Sequence, residues 1–361
     1  LAVVACSIAF AADAQTGGDS VWLSRAQEVT RHLQKTFWDA KSGLYRRSTA
    51  DANVDFMWPN GVAFSALVAA VRHQPDVYRP VLDRFFSSMD RYWDAKVEIP
   101  GYEPAPTKGN GHDKYYDDNA WMVIAYLEAY EVTDDRKFLT RAAETLRFVL
   151  SGWDEQLGGG IWWHEAHKDG TKNTCINAPA AYGCLRMAKF QDTAANVEWA
   201  AKLVAWTRSN LQDKDGLFED RKVVATGEVK RGKLTYNTAL MIRALQGLYA
   251  HTGKAEYLDE AQRIAKASDW FVNKKTGAYR DDVKWSHLLV EADLELHRLT
   301  REPYLLERAQ KNGEHHYGIF QKEPPKEMMQ NASIARMLWL LADAETPVGQ
   351  AFWKKADRVK P

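Results

Sequence analysis

A chain of 361 residues, 45% hydrophobic and 27% charged, carries as many basic as acidic side chains, so its formal net charge is zero. That balance leaves no basic field for nucleic acid or anionic lipid and no acidic tail, and it points to a neutral partner. Trp is the outlying count at 14, beside 15 Tyr and 13 Phe. Most such rings serve a core, but several stand beside Gly, Asn and Asp in predicted loops, where a flat ring is free to stack on a sugar.

In chain order, the first segment is an apolar run from Leu1 to Ala14 that ends in Ala12-Asp13-Ala14. It reads as the back of a secretory signal peptide, residues 1–14, and makes the mature chain secreted or periplasmic. Val3-Val4-Ala5-Cys6 also fits a lipoprotein box, which would anchor the protein at the cell surface through Cys6; the apolar run continues past Cys6 and favours ordinary cleavage. No membrane span is expected. Residues 20–361 are expected to form one catalytic domain, acting as a monomer.

From there on the apolar residues recur with helical period, as in Trp121, Ile124 and Ala125 or Trp199, Leu203 and Trp206, and no stretch alternates with period two. The chain is therefore predicted to be all-α. Helices are expected near 20–36, 60–73, 76–92, 116–131, 134–150, 175–190, 192–210, 233–250, 254–270, 285–300, 303–313 and 327–343, with a short closing helix from 347. After every second helix comes a glycine turn with an aromatic: Gly43-Leu44-Tyr45, Gly101-Tyr102, Gly160-Ile161-Trp162-Trp163, Gly216-Leu217-Phe218, Gly277-Ala278-Tyr279 and Tyr317-Gly318-Ile319-Phe320. These glycines recur roughly every 55 to 60 residues, with a shorter last interval, which signals a repeat architecture. Six helical hairpins follow. Neither terminal hairpin has the polar outer face of a capping repeat, so the hairpins should close into an (α/α)6 barrel.

In such a toroid the six inner helices open at one end. Their first turns read Trp58-Pro59-Asn60, Tyr116-Asp117-Asp118-Asn119, Asn173 to Asn177, Thr235-Tyr236-Asn237, Asp282 to Trp285 and Gln330-Asn331. Helix capping alone accounts for about half of these Asn and Asp residues. The rest would line a polar mouth with aromatic walls, near the N–H donors and positive ends of six helices.

The stretch from His112 to Trp121 is the most informative. An adjacent Asp pair before a helix is ordinarily a cap or a solvated first-turn charge. Here aromatics flank Asp117 and Asp118 on both sides, and no Glu or Gln follows at capping-box spacing. Hydrolysis of a glycoside requires one carboxylate and one carboxylic acid about the anomeric centre, roughly 5 to 5.5 Å apart in a retaining enzyme. Two acids so close cannot both ionise easily, so one keeps its proton near neutral pH, and the helix N-terminus selects the charged one.

Four blocks then carry a resemblance: Tyr116-Asp117-Asp118-Asn119-Ala120-Trp121, Gly159-Gly160-Ile161-Trp162-Trp163, Asn177-Ala178-Pro179-Ala180 and Leu234-Thr235-Tyr236-Asn237-Thr238-Ala239. In these, over about Val21 to Thr300, the sequence resembles glycoside hydrolase family 76, the bacterial and fungal α-1,6-mannanases and their relatives. The resemblance implies the toroid, retaining endo-acting cleavage of α-1,6-linked mannose without a metal, Asp117 as nucleophile and Asp118 as acid/base. Two segments depart from the family pattern. Trp285 to Glu291 replaces a Lys-Gly-containing stretch before the fifth inner helix, and the Glu98 to Gly111 loop carries Pro100, Pro104 and Pro106.

With α-mannan or a mannooligosaccharide as the expected partner, Trp58, Asn60, Tyr116, Asn119, Trp162, Trp163, Asn177, Tyr236, Asn237 and Trp285 are the candidate sugar-binding residues. Of Trp162 and Trp163, one should face the cleft and the other the core if the segment is extended. Tyr236 and Asn237 are either a cap with its staple or partners of sugar hydroxyls, and the Tyr116 hydroxyl is available to orient a carboxylate. His112 and His164 read as loop residues, because the two acids already complete the mechanism. Cys175 and Cys184 are expected as buried free thiols. No Cys or His cluster has zinc spacing, and Asp213-Lys214-Asp215-Gly216 lacks the remaining ligands of a calcium loop, so no metal or cofactor is expected. Three rivals stand beside hydrolysis. An epimerase calls for His on inner helices and a lyase for basic groups, and the mouth is poor in both. A glycan-binding or cell-wall-remodelling protein has no use for an unshielded Asp pair, whereas a transglycosylase would carry the same pair.

Overall fold

The computed structural model describes residues 20–356 apart from 112, 167 and 169; the expected signal remnant, Cys6 and His112 lie outside the described residues. Among these, thirteen helices and seven strands of two or three residues are present. Six helices are buried on nearly every side: α2 (Met57–His73), α4 (Tyr116–Thr133), α6 (Thr174–Met187), α8 (Thr235–Thr252), α10 (Val283–Thr300) and α12 (Met328–Glu345). Residues Asn119 to Ala129 of α4, for instance, are buried without interruption. A helix apolar all round must be enclosed by others. Each of these six packs on the next, and α12 closes on α2.

Around them stand amphipathic helices that bury one stripe: α1 (Val21–Phe37), α3 (Pro75–Met89), α5 (Arg136–Ser151), α7 (Thr193–Leu211), α9 (Ala255–Ala267) and α11 (Pro303–Lys322). Each outer helix packs on the inner helix that precedes it, except α1, which packs on α12. The chain's first helix thus completes its last hairpin, with Trp339 Nε1 donating to Thr30 Oγ1 at 2.8 Å. This is the closed toroid of six hairpins. A last helix, α13 (Pro347–Ala356), packs against α12 and α2.

Five of the six expected glycine turns are tight hairpins between an outer and an inner helix. Two form short ladders, β1 (Trp38–Asp39) with β2 (Leu44–Tyr45) and β3 (Trp93–Asp94) with β4 (Gly101–Tyr102); the others pair Trp153 with Ile161, Gln212 with Phe218 and Val272 with Tyr279. The sixth is a correction: Tyr317-Gly318-Ile319-Phe320 lies inside α11, which runs nine residues past its expected end at 313. Tyr317 and Phe320 still face the core, so the glycine there is tolerated within a helix rather than ending it. The absence of period-two alternation also hid a three-stranded antiparallel sheet, β5 (Thr171–Asn173), β6 (Arg221–Val223) and β7 (Val229–Lys230). Strands this short carry no readable period.

The turn glycines are there because the turns press on neighbours. Gly160 has φ +88°, and a Cβ on it would lie 2.6 Å from the Trp206 ring. Gly160→Ala is expected to lose about 1–3 kcal/mol of stability, read as an earlier urea midpoint; an unchanged midpoint would contradict this packing.

Beneath the mouth the ring is filled by charge. Arg336 of α12 bonds Glu128 of α4 (2.6 and 2.8 Å) and Glu291 of α10 (2.6 Å). Arg72 of α2 bonds Glu128 at 2.6 Å and also pairs with Asp343, and Arg243 of α8 pairs with Glu291 (2.9 Å) and Glu295 (2.8 Å). Alternating signs thus link five of the six inner helices across the axis. Buried charges of this kind persist only when paired and hydrogen-bonded.

Candidate active site

The N-termini of α2, α4, α6, α8 and α10 open on a groove of about 640 Å³, with Gln330 and Asn331 of α12 outside its lining and Asp117 and Asp118 on its wall. Both belong to the first turn of α4, where neither serves as the cap: Tyr115 holds the N-cap position in extended conformation without a side-chain cap bond. What fixes the start of α4 is the segment after the Gly158-Gly159-Gly160 turn. Tyr116 N donates to Trp163 O (3.0 Å), and Tyr115 bridges His164. Lys172 of β5, fully buried, anchors that segment by donating from Nζ to Asp154 Oδ1 (2.6 Å) and to the carbonyls of Gln156 (2.8 Å) and Gly159 (2.7 Å).

The two carboxyls have unlike surroundings. Asp117 Oδ2 accepts from Trp163 Nε1 at 3.0 Å and from the Cys175 thiol at 3.3 Å, while Oδ1 accepts the Asp118 backbone N–H at 3.0 Å. Burial raises its pKa, and these donors oppose the rise. Among the described residues nothing donates to the Asp118 carboxyl in this way. Burial, and then the charge of Asp117, push its pKa well above the carboxylate range. One of the pair is equipped to hold charge and the other to hold a proton.

Aromatics wall the groove: Trp58 and Phe56 at the head of α2, Tyr115 and Trp121 about α4, Trp163, Tyr236 of α8 and Trp285 of α10, with Lys284 Nζ 4.6 Å over the Trp285 ring. Of the expected sugar-binding residues, the structure brings Trp58, Trp163, Tyr236 and Trp285 to this surface. It places the other six behind it. Trp162 is fully buried and donates to Asp154, so of the two tryptophans Trp163, 37% exposed, faces the groove. Tyr116 stacks on Phe148 inside the wall, with centroids 4.8 Å apart, and does not reach a carboxylate. Asn60, Asn119, Asn177 and Asn237 are fully buried.

Three of these asparagines bind backbone instead. Asn119 accepts from Tyr102 N (2.8 Å) and donates to Tyr102 O (3.0 Å). Asn177 does the same with Ile161 at 2.8 and 3.3 Å, and Asn60 donates to the carbonyls of Asp55 and Phe56. The amide stands in for a strand partner to the aromatic turn, whose buried N–H and C=O would otherwise go unmet. His164 is a loop residue as expected, bonded to Asp113 and stacked on Tyr115. Cys175 and Cys184 are free and buried.

Sequence reasoning missed Phe56, Asp220 and Arg221 on the groove, and it had Pro104, Tyr115 and Cys175 near the mouth without counting them among the sugar-binding residues. Asp220 and Arg221 arrive with β6, the strand that pairs with β5. Pro104 comes from the proline-rich loop, whose buried Glu103 accepts the N–H groups of Gly109 and Gly111, both at 3.1 Å. Because Met57 N donates to Pro104 O at 2.9 Å, that loop joins the wall beside α2.

A closed helical toroid with an aromatic groove and two adjacent carboxyls that hold their protons unequally defines the class of a helical-barrel glycoside hydrolase. The sequence matches the profile of glycosyl hydrolase family 76 over residues 22–298, and the chain belongs to that family. A search of curated proteins finds no match. Among solved structures, a family 76 α-mannanase from Bacteroides thetaiotaomicron superposes with TM-score 0.84 at 23% identity, over 90% of this chain and 96% of that one. An inactive variant of a Salegentibacter α-1,6-mannanase, two consecutive aspartates replaced by alanine and α-1,6-mannotetrose bound, gives 0.77 at 20% identity over 90% and 99%. Dfg5 from Chaetomium thermophilum, in complex with glucosamine, gives 0.74 at 13% identity over 89% and 90%. At these identities the similarity is one of fold.

Proposed function

We propose that the protein is a retaining, endo-acting hydrolase of α-1,6-linked mannose polymers, with Asp117 as nucleophile and Asp118 as acid/base. The observation that carries this reading is the unlike environment of the two adjacent carboxyls. Oδ2 of Asp117 is occupied by two donors. Oδ1 accepts only a backbone N–H and keeps a lone pair for the anomeric carbon. In the first step Oδ1 bonds to that carbon as the glycosidic bond breaks, and Asp118 passes its proton to the departing oxygen. In the second, water attacks the glycosyl ester, Asp118 takes the water's proton, and Asp117 leaves as carboxylate.

Trp58, Trp163, Tyr236 and Trp285 are assigned to sugar stacking and hydroxyl contacts along the groove. An open groove with rings such as Phe56, half exposed at its edge, suits a chain that passes through rather than one terminal residue. Mannose and the α-1,6 linkage rest on family membership and on the named activities of the structural neighbours. Incubation with linear α-1,6-mannan is expected to release short mannooligosaccharides whose new reducing ends first appear as the α-anomer by NMR. Products longer than an oligosaccharide substrate would show transfer to sugar instead of water. Inertness toward this polymer alongside turnover of another glycan would overturn the substrate assignment.

A further inference from the structure

Of the two donors to Asp117 Oδ2, the less expected is a thiol. Cys175 is the second residue of α6, delivered to the groove by β5, and its Sγ–H donates to the carboxylate at 3.3 Å. Tyr236 of α8 lines the same part of the groove as the Cys175 thiol. Burial and the charges of Asp117 and Asp220 hold the thiol protonated, so it serves as donor and not as a competing anion. The titratable and charged groups about this corner are Asp118 and Tyr115 at the start of α4, Cys175 on α6, Asp220 and Arg221 at the head of β6, and Tyr236 on α8.

We infer that Cys175 is a positioning residue for the reaction: its thiol, set at the start of α6, fixes Oδ2 of Asp117 and tunes how tightly that carboxylate keeps its charge. A thiol is a weak donor. It favours the ionised form without binding it as firmly as a hydroxyl or an ammonium would, so negative charge can still flow into the new C–O bond. An alanine removes the donor, and a serine replaces it with a stronger one. This inference rests on Asp117 being the nucleophile.

The test is the pH dependence of kcat/KM in the full chain. The acid limb reports the ionisation of the nucleophile in the free enzyme. Cys175→Ala is expected to move that limb to higher pH and to lower kcat by about tenfold with little change in KM. Cys175→Ser is expected to bring the limb back to the wild-type position or below it. Cys184→Ala, at a thiol buried in the core away from the groove, should lower the melting temperature and leave the limb in place. If the alanine and serine variants both keep the wild-type limb, or shift it equally, the inference is wrong. Trapping the glycosyl-enzyme of the wild type with a 2-fluoro α-mannosyl fluoride and mapping the labelled peptide separates the two readings. A label on Asp117 with unmoved limbs overturns only the role of Cys175, and a label on Asp118 overturns the nucleophile assignment beneath it.

Discussion

Asp118→Asn is expected to slow hydrolysis of linear mannan by about 10²–10⁴-fold, the usual worth of a positioned general acid, and at the same time to raise the melting temperature near neutral pH. The first effect follows from the proton. A sugar alkoxide is a poor leaving group and needs it, so a substrate with an activated leaving group, such as a glycosyl fluoride, should recover much of its first-step rate in this variant. Asp117→Asn should lose at least as much turnover and recover nothing from a better leaving group, because a neutral amide oxygen cannot replace the attacking carboxylate. The second effect follows from burial. The folded-state pKa of Asp118 lies well above its ordinary value, so between those two pH values the native chain holds a proton that the unfolded chain has released. Stability therefore falls as pH rises through that window. An amide cannot ionise and escapes this loss. The gap in melting temperature between variant and wild type should be present at pH 7 and close at about pH 3, where both states of the wild type are protonated. A variant that is less stable than wild type at pH 7, or fully active on mannan, would contradict the assignment of the buried acid.

The outline of the fold was legible because long helices write their period plainly and because outer-to-inner turns repeat. Where the sequence misled, two physical readings shared one residue type. Asn119 and Asn177 stand at helix starts beside a groove, and an amide there serves a sugar hydroxyl or a buried backbone group equally well; only the position of Tyr102 and Ile161 decides between them. Trp162 and Trp163 posed the same choice between two neighbouring rings, settled by the way their segment pairs with Tyr115 on one side and Lys172 on the other. Asp220 and Arg221 carried no local signal, since β5 and β6 pair residues as far apart in sequence as Asn173 and Arg221 or Thr171 and Val223. The axial charges were different. Arg72, Glu128, Arg243, Glu291 and Arg336 each sit in the middle or last turns of a helix whose faces are nearly all buried. A charge in such a helix must meet an opposite one, so that network had a readable signature.

That network supplies the largest expected effect on stability. Arg336→Met is expected to cost about 3–5 kcal/mol, the usual consequence of removing one partner from a buried ion pair. Methionine fills much of the volume, so the loss is chiefly electrostatic: Glu128 loses two of its hydrogen bonds and Glu291 loses one. Both glutamates hold pKa values below the ordinary range despite their burial, Glu291 at about 2, because Arg336 and its neighbours Arg72 and Arg243 favour the charged form. A depressed acid contributes stability that is complete above its unfolded value, about 4.3, and is lost as pH falls toward its folded value. In the variant that contribution shrinks and the two carboxyls take up protons at higher pH, which relieves the uncompensated charge. Urea denaturation should therefore show the difference from wild type at its widest above about pH 5 and narrowing toward about pH 3. A cost below about 1 kcal/mol at neutral pH, or one that does not change with pH, would mean that the axial charges are not what holds the ring together. Because Arg336 lies beneath the groove and not on it, turnover well below the melting temperature should stay close to wild type. That separates the axis, which links five of the inner helices, from the two carboxyls presented at the mouth.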